Sequence, residues 1–278
     1  MALKMNQNIG KFFLYTIAFF CTLITVFPLA VAFLNSVRDN QAITLNMLSM
    51  PEVWLWENYT AAIQRAHMGT AVLNSLFIAL ATTVLVIFIA MPAAYVLSRK
   101  KFRLRKFLYV FFILGVMIPV HSTLVPIATL AVRMNGRNTY WFIILVYVAL
   151  NLTQAIFLFT GYLSGIDREL DQAAKIDGCN DIQFLFRILF PVARPIIATV
   201  AVLTFVFAYG ELVFSLILVS DTQMFTVARA MLTFTGAFQQ QLGPIFASII
   251  IAVIPMIVIY VVFHEKVQSG MLEGAIKS

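Results

Sequence analysis

Six long apolar segments dominate this chain and restrict what it can fold into. A helix needs about 20 apolar residues to cross roughly 30 Å of bilayer hydrocarbon, and each segment approaches or exceeds that length. In lipid, a helix pairs the backbone donors and acceptors that an isolated strand would leave unpaired. The segments cover residues 12–34, 71–97, 107–132, 139–163, 196–220 and 245–263. The sequence therefore predicts an all-α integral membrane protein with six transmembrane helices, in a single transmembrane domain over residues 1–278.

The composition excludes several other classes of protein. Charged residues make up 11% of the chain, whereas a soluble globular domain carries roughly 25%. The net charge of +7 does not indicate nucleic-acid binding, because the basic residues lie in short connections between apolar segments, where they act as topology signals. Cys21 and Cys179 are the two cysteines, which is too few for a disulfide framework. The predicted surroundings are a lipid bilayer, with no nucleic acid.

The distribution of basic residues predicts the orientation, since Arg and Lys concentrate in the cytoplasmic connections of membrane proteins. The run from Arg99 to Lys106 places the connection between the second and third segments in the cytoplasm. With that assignment, 14 of the 19 basic residues lie on the cytoplasmic side. The remaining five are Arg38, Arg65, Arg133, Arg137 and Arg229. Both termini are therefore predicted to be cytoplasmic.

The connection between the fourth and fifth segments, about residues 164–195, is polar, and its pattern predicts two short cytoplasmic helices. Glu169 and Asp171 stand where a helix dipole favours anions, and Lys175 stands near the end that favours cations. Gly178 is expected to end the first helix. Asp181 is expected to cap the second, and Pro191 to end it.

Two adjacent alanines give the first of these helices a low profile. Ala173 and Ala174, followed by Gly178, would allow another protein to approach closely. The alternative is that the alanines pack against the protein's own helix ends. Physical reasoning from the residues leaves both interpretations open.

The spacing of this loop resembles the EAA loop of ABC importer permeases, whose helix docks into a cleft on a cytoplasmic ATPase. The matching residues are Gln172-Ala173-Ala174, Asp177-Gly178, Phe184, Ile188, Pro191 and Pro195. The resemblance implies an ATPase-coupling surface formed by Glu169, Gln172, Ala173, Ala174, Asp177 and Gly178. Gln172 stands where the family usually has a glutamate. It would replace a salt bridge with a neutral hydrogen bond, and Glu169 or Asp171 would supply charge nearby.

Further residues along the chain resemble the carbohydrate-uptake group of these permeases, similar to the maltose system. They are Asn58-Tyr59, Asn74-Ser75, Ala94-Tyr95, Leu97-Ser98-Arg99, Phe102, Met117, Pro119, Pro126, Asn138-Thr139 and the ending Leu272-Glu273-Gly274-Ala275-Ile276-Lys277. The ending is similar to that of the MalG-like, six-span member of a heterodimeric pair. The resemblance implies a multi-pass permease subunit for a sugar or oligosaccharide in the cytoplasmic (inner) membrane of a bacterium or archaeon.

The same resemblance implies the partners. They are a second permease subunit, a cytoplasmic ATPase dimer that binds ATP-Mg, and an extracytoplasmic solute-binding protein. The chain itself has no Gly-x-x-x-x-Gly-Lys-Ser/Thr phosphate loop, so no cofactor is expected in it. It also lacks the motifs of the common metal-dependent and serine hydrolases, so no catalytic or metal-binding residue is predicted.

Polar residues inside the apolar segments are candidates for the substrate pathway. Glu211 is ionisable at membrane depth, where burial is costly, and Tyr209 beside it has a ring that would stack on a sugar. Asn151 and Gln154 are three residues apart, hence on one helix face. The alternative for Glu211 is a bond to a neighbouring helix or a position at the outer interface. For the two amides it is hydrogen bonding that holds the bundle together.

The third segment is predicted to kink or open around His121, because Pro119 and Pro126 bracket it. A proton relay at His121 is disfavoured, since no acidic chain accompanies it. An ion-coupled secondary transporter that works alone is the main alternative function, although intramembrane ionisable networks and repeats, typical of that class, are not visible in the sequence. A membrane-embedded enzyme is a second alternative.

Overall fold

The computed structural model describes residues 2–236 and 240–275, with side chains for residues 14–236 and 240–261. Within that part of the chain the structure is helical, and its one extended pairing is an isolated bridge between Thr235 and Gln240. The all-α prediction is confirmed. The helices are α1 (Ala2–Ser36), α2 (Asn40–Leu45), α3 (Glu57–Arg65), α4 (Met68–Arg99), α5 (Arg105–Met117), α6 (Leu124–Arg133), α7 (Tyr140–Ser164), α8 (Glu169–Ile176), α9 (Asp181–Gln183), α10 (Phe190–Val192), α11 (Arg194–Gly210), α12 (Val213–Leu218), α13 (Val227–Met231) and α14 (Leu242–Ala275).

Among the described residues, four helical stretches are long and apolar enough to cross a membrane. They are Leu14–Ser36, Met68–Arg99, Tyr140–Ser164 and Leu242–Val261. Two bent helix pairs raise the number of candidate spans to six if each pair counts as one. The basic residues Lys4, Lys11, Lys266 and Lys277 and the ending Leu272 to Lys277 lie outside the described side chains.

The third apolar segment is bent, as its prolines predict. Helix α5 ends at Met117, and a 3₁₀ turn at Val120–Thr123 leads into α6. The two halves meet at 93°. Pro119 has no N–H to continue the helix, and its ring disfavours helical backbone at Ile118, which is extended (φ −74°, ψ 122°). The expected opening around His121 is therefore confirmed.

The fifth apolar segment departs from the continuous helix predicted over residues 196–220. Helix α11 ends at Gly210, Glu211 is extended (φ −67°, ψ 121°), and α12 begins only at Val213. Upstream, α11 is bent by 79° from the helical stretch Asp181–Val192. The prediction of a single uninterrupted helix was wrong here, because an acidic side chain starts a new helix inside the apolar run.

The chain divides into two compact units. The first contains residues 1–68 and 231–256, and the second contains residues 69–230 and 257–278. In the first unit, Asn58 donates from Nδ2 to the carbonyl oxygens of Ser36 (3.0 Å) and Arg38 (2.9 Å), which ties α3 to the end of α1. A Cβ at Gly243 would lie 2.6 Å from the Arg38 oxygen, so this close approach requires glycine.

The second unit is built around α7. This helix packs against α5, α11 and α12, and it buries one long apolar face. Tyr147 and Phe159 on α7 and Phe214 on α12 are completely or almost completely buried. A Cβ at Gly115 on α5 would lie 2.9 Å from Thr153 Oγ1, so the glycine permits close packing of the two helices. The candidate functional residues lie in this unit.

Candidate functional site

Helix α8 has well-defined ends. At its N-terminus, Asp167 Oδ1 accepts a hydrogen bond from the Glu169 N–H (3.0 Å), so Asp167 supplies the polar contact there. At its C-terminus, Gly178 has φ +74°, and the N–H groups of Gly178 and Cys179 donate to the carbonyls of Lys175 and Ala174. This is a Schellman motif, which needs a left-handed residue after the helix. The predicted stop at Gly178 is confirmed.

The two faces of α8 differ in exposure. Glu169, Gln172, Ala173 and Ile176 all face outward and are exposed, and their spacing of three, four and seven residues from the first places them on one side of the helix. Ile176 is 86% exposed, so the same face also carries a large apolar side chain. Asp177 and Gly178 continue this exposed surface beyond the helix end.

The opposite face of α8 packs against the protein. Ala174 is 4% exposed. The sequence left open whether the two alanines face another protein or pack within this one, and the structure gives a different answer for each. Ala173 belongs to the outward surface, and Ala174 belongs to the packing interface. Five of the six predicted coupling residues are therefore exposed together, and Ala174 supports them from beneath.

An ion pair joins α8 to the end of α4. Arg99 donates from Nη1 to Asp171 Oδ2 at 2.8 Å, with the arginine side chain 4% exposed and the aspartate side chain 23% exposed. Arg99 Nε and Nη2 are buried without a hydrogen-bond partner among the described residues. Asp171 is therefore turned inward and internally paired, which leaves Glu169 as the outward acid beside Gln172.

A second contact from α4 holds the following helix. Asp181 accepts hydrogen bonds from Lys100 Nζ and from the Tyr95 hydroxyl (3.1 Å). The hydrogen bond to Asp181 raises the pKa of Lys100 above its ordinary value, so the pair stays charged. Asp181 does not cap α9 as predicted. Asn180 does, through a capping box with Gln183, because its side chain is one residue earlier and meets the Gln183 N–H (2.8 Å).

The segment after α9 also differs from the prediction. Residues Phe184–Leu189 form a π-helical turn, and the helical backbone then continues through Pro191 to Val192. The helical stretch passes Pro191 and ends at Val192, before the bend into α11, so it ends one residue after the predicted stop.

Glu211 has its carboxylate fully engaged. Its two oxygens accept hydrogen bonds from the backbone N–H groups of Val213, Phe214 and Ser215 at 2.8 to 3.2 Å. Tyr147 on α7 donates its hydroxyl to Oε2 at 2.9 Å. Glu211 is 9% exposed. A carboxylate at a helix N-terminus satisfies donors that have no partner within the helix, so Glu211 both starts α12 and ties it to α7.

The other three pathway candidates differ in burial and in contacts. Asn151 is buried and donates from Nδ2 to the Tyr147 carbonyl one turn earlier (2.8 Å). Gln154 is exposed on the same helix. Tyr209 is buried and stacks on Phe205, with ring centroids 5.8 Å apart. The structure thus brings Asn151 and Glu211 to the same buried tyrosine, while Gln154 faces outward.

Sequence reasoning missed the residues that position the loop. The sequence marks Arg99 and Lys100 as topology signals, and Tyr95 and Arg99 as parts of a resemblance, but it indicates no contact of these residues with the loop. The ion pair of Arg99 with Asp171 spans 72 positions of the chain, which no local pattern reveals. Ile176 gave no usable signal in the sequence, because single exposed apolar residues are common on protein surfaces.

Comparison with known proteins identifies the family to which the coupling loop belongs. Residues 86–272 match the protein family described as "Binding-protein-dependent transport system inner membrane component". The chain belongs to this family. The match contains α8, the end of α4 and Glu211, so the resemblance inferred from the loop is confirmed. The permease is an inner membrane component of an ABC importer, and its family is a transport component rather than an enzyme.

Named relatives and a solved structure cover nearly the whole chain. The diacetylchitobiose uptake system permease protein NgcG of Streptomyces coelicolor is 26% identical over 92% of this chain and 85% of its own length. The multiple sugar-binding transport system permease protein MsmG of Streptococcus mutans is 25% identical over 99% of this chain and 100% of its own. A bacterial ABC transporter involved in the import of the acidic polysaccharide alginate has a chain of the same fold, with a TM-score of 0.75 at 19% identity, covering 94% and 97% of the two chains.

Proposed function

We propose that the permease forms half of a translocation pathway for a sugar or oligosaccharide and is driven by a cytoplasmic ATPase dimer through the outward face of α8. The observation that carries the proposal is the exposed set Glu169, Gln172, Ala173 and Ile176 on one face of that helix. Such a face joins a small residue, a large apolar residue and polar groups, a combination suited to docking into a groove. A solute-binding protein delivers the substrate from outside.

The proposed orientation has six spans, with both termini and the coupling loop (residues 164–195) in the cytoplasm, in one transmembrane domain. The excess of basic residues on that side supports it. A second permease subunit, most simply a different chain, completes the pathway. Carbohydrate as the substrate class is supported by the sugar systems to which NgcG and MsmG belong.

The mechanical part of the proposal rests on how α8 is attached. Arg99 and Asp171 connect α8 to α4, and Lys100 and Asp181 connect the following helix to the same point. Movement of the docked ATPase is therefore passed to the end of a 32-residue helix. Packed helices switch between discrete arrangements, so this connection would rock α4 between inward-open and outward-open states.

We further propose that Glu211, Tyr209, Asn151 and Gln154 lie along the pathway. The break between α11 and α12 supports this, since interrupted helices in membranes are tolerated where they are buried in protein or line a water-filled cavity. Glu211 acts there by holding the broken helix, because its oxygens already accept hydrogen bonds from three backbone N–H groups and Tyr147.

The coupling surface is tested by disulfide or bifunctional cross-linking of Ala173→Cys to the co-expressed ATPase subunit, in a Cys21→Ala, Cys179→Ala background. We expect a cross-link whose yield changes with nucleotide. The matched control is Ala174→Cys, one residue away but buried, which should give none. A folded Ala173→Cys protein that forms no cross-link with its own ATPase would contradict the proposed docking face.

Carbohydrate transport is tested separately in proteoliposomes with the binding protein. ATP hydrolysis by the assembled transporter should rise when a binding protein loaded with oligosaccharide is added, and not with the empty one. Stimulation by a non-carbohydrate solute alone would contradict the substrate class while leaving the coupling surface intact.

A further inference from the structure

The six basic residues between Arg99 and Lys106 do not share one role. Arg99 and Lys100 form ion pairs with the coupling loop. Arg105 donates from Nε to the Leu97 carbonyl at 2.6 Å and so covers the C-terminal end of α4. These three residues are occupied within the protein.

The other three, Lys101, Arg103 and Lys106, are exposed. Within the described part of the chain, neither of the two salt bridges involves them. Three cations so close in sequence repel one another unless an anion lies among them. The described carboxylates supply no such anion, so the charges of these three residues are not neutralised within the described part of the protein.

These cations line an open cleft of about 610 Å³, called here the basic cleft. Its lining residues are Leu97, Lys101, Phe102, Arg103, Arg105, Lys106, Tyr109, Thr160 and Ser164. The lining contains four cations and no carboxylate, together with one aliphatic and two aromatic side chains. The cleft lies where α4 ends, α5 begins and α7 approaches its end, which is the level at which apolar spans give way to polar connections.

A buried polar group in the basic cleft also lacks a partner. Thr160 on α7 is 5% exposed, and its Oγ1 has no hydrogen-bond partner in the part of the chain that the structure describes. A buried hydroxyl without a partner is costly, which makes an unpaired one informative. The N-terminus of α5 at Arg105 adds the positive end of a 13-residue helix to the same place. Charge, helix dipole and the free hydroxyl all favour an oxygen-rich anion.

We propose that the basic cleft is a binding site for an anionic phospholipid, with the phosphate among Lys101, Arg103 and Lys106 and an acyl chain along Phe102 and Tyr109. The apolar wall favours a lipid over a free anion, because inorganic phosphate gains nothing from an aromatic surface. Basic pockets between transmembrane helices on the cytoplasmic side are suited to anionic headgroups. This proposal concerns lipid binding and not transport. It rests on the proposed function in one respect, the orientation that places the basic cleft at the cytoplasmic leaflet.

The location gives such a lipid a route to the coupling loop. Leu97 in the cleft lies in the last turn of α4, two residues before Arg99, and Arg105 at the start of α5 donates to its carbonyl. Arg99 and Lys100, at the same end of α4, form the ion pairs that hold α8 and α9. A phosphate that neutralises Lys101 and Arg103 would lower the positive potential around Arg99 and its partner Asp171. Bound lipid is therefore expected to adjust the coupling loop as well as to anchor the helix ends.

The test is native mass spectrometry of the full-length protein in the assembly in which it is purified, titrated with dioleoylphosphatidylglycerol or dioleoylphosphatidylcholine. We expect the protein to prefer the anionic lipid. Arg103→Gln/Lys106→Gln should reduce that preference by roughly 10- to 30-fold. Each cation near an anionic membrane surface contributes about 1 kcal/mol to binding, so the loss of two gives a change of this size. The matched control is Arg187→Gln/Arg194→Gln, which removes two exposed cations outside the cleft.

Two results would overturn the proposal. One is an equal loss of preference in both double variants, which would show a general effect of net charge. The other is full displacement of the anionic lipid by an equal concentration of inorganic phosphate, which would assign the cleft to free anions. Retention of the preference in the control and its loss in the cleft variant, with both proteins folded, would establish the lipid site.

Discussion

Two ionisable residues of the second unit, Arg99 and Glu211, are equally buried at 9% exposure. They differ in how completely their polar atoms are hydrogen-bonded. The carboxylate of Glu211 accepts hydrogen bonds from three backbone N–H groups and a tyrosine hydroxyl, without a cation. The guanidinium of Arg99 has an ion pair through one nitrogen and two further nitrogens without a hydrogen-bond partner.

This difference distinguishes a fixed point from an adjustable one. All of the donors around Glu211 are held by the backbone of α12 and by α7, so any movement of the carboxylate would leave several buried groups unpaired. Arg99 has two further N–H-bearing nitrogens without partners, and Asp171 is partly exposed. Asp171 can therefore move from one guanidinium nitrogen to another and still form an ion pair with Arg99. The break between α11 and α12 should behave as a rigid corner, and the junction of α4 with α8 as a joint.

The largest expected effect is that of Glu211→Ala. It leaves the Tyr147 hydroxyl and the first N–H groups of α12 without acceptors, which should reduce the free energy of unfolding by about 3 kcal/mol. The midpoint of thermal unfolding in lipid nanodiscs measures this. Glu169→Ala is the control, since that side chain is exposed. Equal midpoints for the two variants would mean that Glu211 is not the fixed point.

Asp171→Asn should have the next largest effect. Removing the carboxylate leaves the Arg99 guanidinium buried and unpaired, which should cost about 2 kcal/mol after allowing for the exposed part of Asp171. The same variant should weaken the dependence of ATP hydrolysis on the binding protein, because the joint between α4 and α8 is loosened. Glu52→Gln, which removes an exposed carboxylate outside the coupling loop, should change neither quantity.

A buried hydroxyl extends the comparison to an uncharged group. Thr160→Val removes the unpaired Oγ1 at nearly constant volume and should raise the free energy of unfolding by about 1 kcal/mol in detergent without lipid. Thr82, also buried with an unpaired Oγ1, provides the control as Thr82→Val. Added phosphatidylglycerol should stabilise the wild type and Thr82→Val more than Thr160→Val. The same gain in all three proteins would argue against Thr160 as part of the lipid site.

The smallest effect is expected for Lys100→Gln. The pair with Asp181 is largely exposed, at 37% and 63% of the two side chains, and such pairs contribute about 0.5 kcal/mol. The loss should disappear in high salt, unlike that of Asp171→Asn. If Lys100→Gln proved as damaging as Asp171→Asn, the contrast between a buried joint and an exposed one would fail.

Part of this architecture was predictable because it depends on neighbouring residues. The apolar segments, the bend at Pro119 and the helix stop at Gly178 each follow from a local rule of length or backbone geometry. The coupling loop was found by its spacing alone. The outward and inward alanines were not separable, since the direction in which α8 turns is set by Arg99, far away in the sequence.

The break at Glu211 was not predictable by the same means. Average hydropathy treats one acid in a run of apolar residues as a minor interruption, so the segment 196–220 was expected to be one helix. Whether such an acid lines a pathway, pairs with a neighbour or starts a new helix depends on which donors surround it in three dimensions. Tyr147 supplies one of them from a position 64 residues away.

The π-helical turn at Phe184–Leu189 has a consequence for the evolution of the loop. A π-helical turn accommodates one residue more than an α-helical turn of the same extent. Deletion of a single residue there would restore ordinary α-helix and leave the helical stretches on either side in nearly the same angular relation, because the wider turn holds the extra residue locally. The loop can therefore change in length by one residue at this turn while its outward surface and both helix ends keep their positions.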